Sequence, residues 1–177
     1  MRAVDAFWRY GYEALPANTL ADEMGLSKSS LYNTFGSKRQ LLLEAIDAYA
    51  KAKVRAIREA SDAPKLREHL RRLLLDIVKD NDGGRGCLLV NTSIELCLHD
   101  PEVRRAVWDG FQSIKTAFES LFIAGRQSAQ LKRDADPAAS AMTLITGIAG
   151  LRVLAKAGYT ERQLSPVVDN LVMCIAV

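Results

Sequence analysis

Cysteine and histidine are scarce in this chain, long apolar runs are missing, and neither sign of charge dominates. Each shortage removes a class of function. The three cysteines, Cys87, Cys97 and Cys174, are odd in number and have no framework spacing, which excludes a disulfide scaffold and suits a reducing compartment. Cys87 and Cys97 stand ten positions apart, about 15 Å of rise in one straight helix and too far for a bond between them. The two histidines, His69 and His99, have no neighbouring ligand set, so no metal centre is expected. The longest weakly apolar stretch, Ala138 to Leu151, falls short of the roughly 20 residues that cross a bilayer and contains Ser140, Thr143 and Thr146. The opening MRAVDAFWRYGY lacks the apolar core of a leader, which predicts a cytoplasmic protein without membrane contact. With 24 Lys and Arg against 21 Asp and Glu, a net charge of +3, bulk charge does not mark a nucleic-acid binder. Any such contact must come from a local cluster.

What is present is an ordinary globular balance, 49% hydrophobic and 25% charged in 177 residues, enough to bury a core without staples. Apolar residues recur at three and four positions almost everywhere, and no useful stretch alternates with period two, so the chain reads as all-α. From Ser37, a plausible N-cap, a stripe of Leu42, Ile46 and Tyr49 predicts a helix long enough to link two domains. Ala63-Pro64 punctuates the chain, and Leu66, Leu70, Leu73 and Ile77 mark the next helix, which stops at Asn81-Asp82-Gly83-Gly84. A mixed helix follows from Cys87 to about His99. Asp100-Pro101 then opens a long helix carrying Val103, Val107, Phe111, Ile114, Phe118 and Leu121. Asp136-Pro137 opens another, Gly158 closes it, and a last helix bears Leu164, Val168, Leu171 and Ile175. About nine helices are expected.

Between Ala17 and Phe35, two short helical patterns flank Gly25-Leu26-Ser27. Ala17, Leu20 and Met24 share one face of the first, and Leu31 and Phe35 lie a turn apart in the second. Short helices joined by a Gly-containing turn make a helix-turn-helix. In this reading Gly25 supplies the turn's backbone freedom, Leu26 plugs the angle between the helices, and Ser27 caps the second. Lys28, Ser29, Tyr32 and Asn33 then face outward, a set of donors and one aromatic suited to base edges and phosphates. From Ser27 to Arg39 the charges are Lys28, Lys38 and Arg39, with no acid among them. Ser37 opens the following helix, whose first amides can also hold a phosphate. A tight corner in an all-α core would carry the same residues as solvated surface.

The stretch GYEALPANTLADEMGLSKSSLYNTFGSKRQLL resembles the DNA-binding domain of the TetR family of bacterial repressors through Gly11-Tyr12, Gly25-Leu26-Ser27, and Leu31-Tyr32 with Phe35 and Lys38. The resemblance implies that the second short helix enters the major groove, that residues matching Lys28, Ser29, Tyr32 and Asn33 touch DNA, and that the one matching Lys38 grips phosphate. Where the family often has Ser or Thr, this chain has Pro16; Asn18 or Thr19 is then the candidate phosphate contact. It further implies a helix-turn-helix domain over about 1–47 and a larger helical regulatory and dimerisation domain over 48–177. The expected partners are palindromic double-stranded operator DNA, a second copy of the chain held through the last two helices, and a small-molecule effector.

Ala138, Ala139, Ala141, Gly147, Ala149 and Gly150 would let the penultimate helix approach a neighbour closely. A candidate effector pocket is lined by Leu73, Asn91, Trp108, Phe111, Gln112, Phe118, Met142 and Ile145. Cys87 and Cys97 are alternative sensors of an electrophile or oxidant. The segment Gly86 to Val103 is similar to one found in a branch of the family that includes some regulators answering small electrophiles or metal stress. Asp80, Asp82 and Gly83 suggest a calcium loop, but its first and last ligand positions would be Val78 and Leu89. Gly83-Gly84-Arg85-Gly86 lacks the ending of a phosphate loop. The rival reading, a helical enzyme or carrier using a cavity in the larger domain, lacks a nucleophile and base pair or a cofactor fingerprint, so no catalytic residue and no cofactor is expected.

Overall fold

The computed structural model describes residues 2–59, 65–79, 83–128, 131 and 135–175; the punctuation expected at Ala63-Pro64 and Asn81-Asp82 lies outside them. Among the described residues the chain forms nine helices and no strand. They are α1 (Arg2–Tyr10), α2 (Ala17–Met24), α3 (Lys28–Phe35), α4 (Lys38–Glu59), α5 (Leu66–Lys79), α6 (Leu88–Leu96), α7 (Pro101–Gln127), α8 (Pro137–Lys156) and α9 (Glu161–Ile175). Their starts follow local capping chemistry. Ser37 Oγ accepts from the Gln40 amide at 3.0 Å, Asp100 Oδ1 from the Glu102 and Val103 amides at 3.0 Å, and Asp136 Oδ1 from the Ala138 amide at 2.9 Å. Pro101 and Pro137 occupy first helical positions, where the missing N–H costs nothing. The mixed helix is shorter than its pattern suggested, because Cys87 is its N-cap and Cys97 its C-cap.

The chain folds as two compact units, one of residues 1–52 with 87–112, the other of 53–86 with 113–177. In the first, Phe7 and Trp8 of α1, Leu20 of α2, Leu31 of α3, Leu41, Leu42, Ile46 and Tyr49 of α4, and Leu88 and Leu89 of α6 are all buried. The Trp8 and Tyr49 rings meet edge to face at 5.1 Å, an arrangement that suits their quadrupoles. Gly110 of α7 lies so close to α6 that a Cβ there would sit 3.2 Å from Leu89.

In the second unit α5, α8 and α9 pack on one another around Leu70, Leu74, Leu144, Leu151, Leu164 and Val168, with Phe118 and Phe122 of α7 stacked at 6.4 Å. Burial of each such side chain contributes about 1.5–3 kcal/mol against the ordering entropy of the chain. Arg152 is buried on α8, and its Nη1 donates to the Gly86 carbonyl at 2.7 Å. The apolar run of 138–151 understated α8: the 20-residue helix is long and apolar enough to cross a membrane, with 22% of its most apolar window buried. Its flank on α5 and α9 places it in the core of this unit, and its other flank leaves Met142, Val153 and Leu154 exposed.

Candidate nucleic-acid interface

The α2–α3 corner is built by three local devices. Gly25 ends α2 at φ 69°, a left-handed conformation that favours glycine, while the Leu26 amide reaches back to the Ala21 carbonyl at 2.9 Å. Arg2 Nη1 donates to the Met24 carbonyl at 3.3 Å, satisfying an acceptor that the helix end leaves over. Ser27 Oγ then accepts from the Ser30 amide at 3.1 Å and starts α3. Leu31 is fully buried and anchors the helix from below. Leu26, expected to plug the angle, is 36% exposed instead, because the chain turns outward at the left-handed glycine before it.

On the outer side Lys28, Ser29 and Asn33 are exposed and Tyr32 is half-buried. Asn18, near the start of α2, and Ser37, at the start of α4, are exposed as well. α3 carries one cation, Lys28, and no acid along its length. Lys38 stands differently. Its Nζ donates to the Tyr12 carbonyl at 2.5 Å and lies 4.4 Å from the centre of the Tyr12 ring. Burial lowers its pKa from the ordinary lysine value, against the pull of Glu13 and Glu95.

Arg39 drops out of the local cation cluster. Its Nε and Nη2 donate to the two Asp100 oxygens at 2.6 and 2.7 Å, and its Nη1 to Glu102 at 2.6 Å. Those acids lie 61 and 63 positions downstream, so a local count of charge could not include them. A second long-range acid was equally invisible: Glu95 of α6 accepts from the Tyr12 and Glu13 amides.

The eight candidate pocket residues divide between the units. Asn91, Trp108, Phe111 and Gln112 belong to the first, and Leu73, Phe118, Met142 and Ile145 to the second. Phe118 is buried, whereas Trp108 and Met142 are 57% and 46% exposed. None of the three cysteines is in a disulfide. Tyr49 Oη donates to Cys87 Sγ at 3.6 Å, and burial pushes the Cys97 thiol up from its ordinary pKa while Arg104 opposes the shift.

Comparison with known proteins shows where this architecture recurs. The family model described as "Bacterial regulatory proteins, tetR family" matches residues 2–45, and that described as "Tetracyclin repressor-like, C-terminal domain" matches 64–169. The chain belongs to the TetR family. Among relatives of this TetR-family chain is an uncharacterised HTH-type transcriptional regulator of Bacillus subtilis, YezE, 30% identical over 95% of this chain and 89% of its own length. A cysteine mutant of the TetR-family regulator CifR, solved with 26-base-pair double-strand operator DNA, is 30% identical, with a TM-score of 0.83 over 98% of this chain and 93% of its own. The reduced form of Escherichia coli NemR shares the fold, with a TM-score of 0.84 at 18% identity over 99% of this chain and 94% of its own.

Proposed function

We propose that this TetR-family chain is a transcriptional repressor that binds palindromic operator DNA as a homodimer and is released by a small-molecule effector. The observation that carries it is the outer face of α3, where Lys28, Ser29, Tyr32 and Asn33 stand around a buried Leu31 on a serine-capped helix without an acid. In this reading that face enters the major groove, with Asn18, Ser37 and Lys38 holding phosphates on either side. CifR, whose cysteine mutant was solved with operator DNA, supports operator binding by a chain of this fold. Lys38 needs one of its three N–H groups for Tyr12 and keeps two for a phosphate oxygen. The domain division at about residue 47, and a cytoplasmic location, belong to this reading.

Dimerisation is assigned to the outer faces of α8 and α9, where Met142, Val153, Val167 and Met173 are each about half exposed in the single chain. The effector is assigned to the larger domain, with Cys87 and Cys97 as the sites an electrophilic effector would modify. Such an effector must bind the DNA-incompetent arrangement more tightly, and tenfold release requires about 1.4 kcal/mol of coupling.

Selection of bound fragments from a random DNA library tests the reading. A palindromic site should emerge whose affinity falls steeply with salt. Lys38→Ala should weaken all sequences and reduce the salt slope by about one, whereas Tyr32→Ala and Asn33→Ala should also relax site preference. A library that yields no sequence above background sinks the repressor reading and favours an enzyme or carrier.

A further inference from the structure

The turn between α1 and α2 is an amide nest, and a carboxylate from outside the DNA-binding segment fills it. Gly11 adopts φ 78°, and a Cβ there would stand 3.2 Å from both Glu95 oxygens. The Tyr12 amide donates to Glu95 Oε1 and Oε2 at 3.0 Å each, and the Glu13 amide to Oε1 at 2.8 Å. Consecutive amides aimed into one concavity bind anions, and a charged acceptor makes each bond stronger than a neutral one would. Tyr12 is thereby held at every polar backbone group it has. Its N–H is bound by α6, its carbonyl by Lys38 at the start of α4, and its ring stacks on Phe7 of α1 at 6.1 Å.

We propose that Glu95 is a positioning residue for DNA binding, whose carboxylate, seated in the nest of residues 11–13, holds the helices of the reading head in their DNA-competent arrangement. This inference rests on the repressor reading above. Glu95 lies at position 95, far outside the 1–47 segment, and touches no group assigned to DNA except through Tyr12 and Lys38. Without it the turn loses its acceptor, the competent arrangement becomes a fraction of the population, and apparent affinity falls by that fraction.

The test turns on a sign. Glu95→Gln removes a negative charge from a DNA-binding unit, and charge alone predicts tighter binding to a polyanion. Positioning predicts the opposite. Operator affinity is measured across a range of salt concentrations for wild type, Glu95→Gln, Glu95→Ala and a control, Glu44→Gln, which removes an exposed acid on α4. The expected result is about tenfold weaker binding for Glu95→Gln with the salt slope unchanged, because the complex finally formed has the same phosphate contacts. The control should match wild type or bind slightly tighter. Amide exchange at Tyr12 and Glu13 should quicken in Glu95→Gln while the thermal midpoint stays close to that of wild type. If Glu95→Ala is too unstable to purify, Glu95→Gln, which keeps the shape and one acceptor oxygen, decides alone. Glu95→Gln binding as tightly as wild type or tighter overturns the inference while the repressor reading stands. A wild type that selects no DNA removes both.

Discussion

Asp100 combines two tasks in one side chain, as cap of α7 and as partner of Arg39 on α4. The cap was legible, since Asp before Pro at a helix start is a local signal. The partner was not, because nothing in the sequence near Asp100 points to a residue 61 positions away. The Arg39 guanidinium, together with the Val103 amide, holds the Asp100 carboxyl well below the usual carboxylate range. A carboxyl depressed in the folded state stabilises it at pH values above about 3.9, the unfolded value, and that contribution is lost as pH falls through the folded one. The thermal midpoint of the wild type should therefore drop as pH is lowered from about 4, and Asp100→Asn, which keeps a good cap but loses the charge, should show a shallower drop over that window. Identical acid profiles for the two proteins would mean that the pair is too solvated to matter, as exposed ion pairs often are.

For the helices, periodicity carried most of the information. The stripe Val103, Val107, Phe111, Ile114, Phe118 and Leu121 predicted α7, and all six are buried or half-buried. Small residues on α8 were equally visible, but which neighbour each one faces was not, since a glycine carries no sign of its partner. Gly147 faces α9 of the same chain, where a Cβ would lie 2.3 Å from Leu171, so it serves intramolecular packing. Around Gly150 no described residue lies within 4 Å of a Cβ position. Of the small residues expected to let this helix approach a neighbour, Gly147 thus meets its own chain, and Gly150 is the glycine left for a second subunit. Gly147→Ala should cost about 1–3 kcal/mol by overpacking, seen as a lower thermal midpoint. Gly150→Glu should leave the folded subunit intact, because an exposed helical glycine gains about 0.5–1 kcal/mol of propensity when replaced, yet sedimentation should show it as a monomer. A Gly150→Glu protein that sediments as a dimer would move the interface elsewhere on α8 and α9.

Across the whole molecule, the linear division at residue 47 and the compact units follow different logic. A motif is recognised along the chain, and its residues 1–47 are contiguous; a core is closed by whatever packs on it, and here the first unit also recruits 87–112. Leu88, Leu89, Val103 and Val107 are buried residues of that unit which a segment ending at 47 would lack, along with Glu95 and Asp100. At about 1.5–3 kcal/mol for each buried side chain, the loss of four rivals the 5–15 kcal/mol by which a domain is stable at all. A peptide of residues 1–47 should therefore show little helical circular dichroism at 25 °C and no cooperative melt. Joining it to 87–112 through a flexible linker should restore part of the helicity and the slow exchange of the Tyr12 and Glu13 amides, because Glu95 is then available to fill the nest. If the short peptide instead melts cooperatively near the full chain's midpoint, residues 1–47 are a domain in the thermodynamic sense and the later helices only orient it.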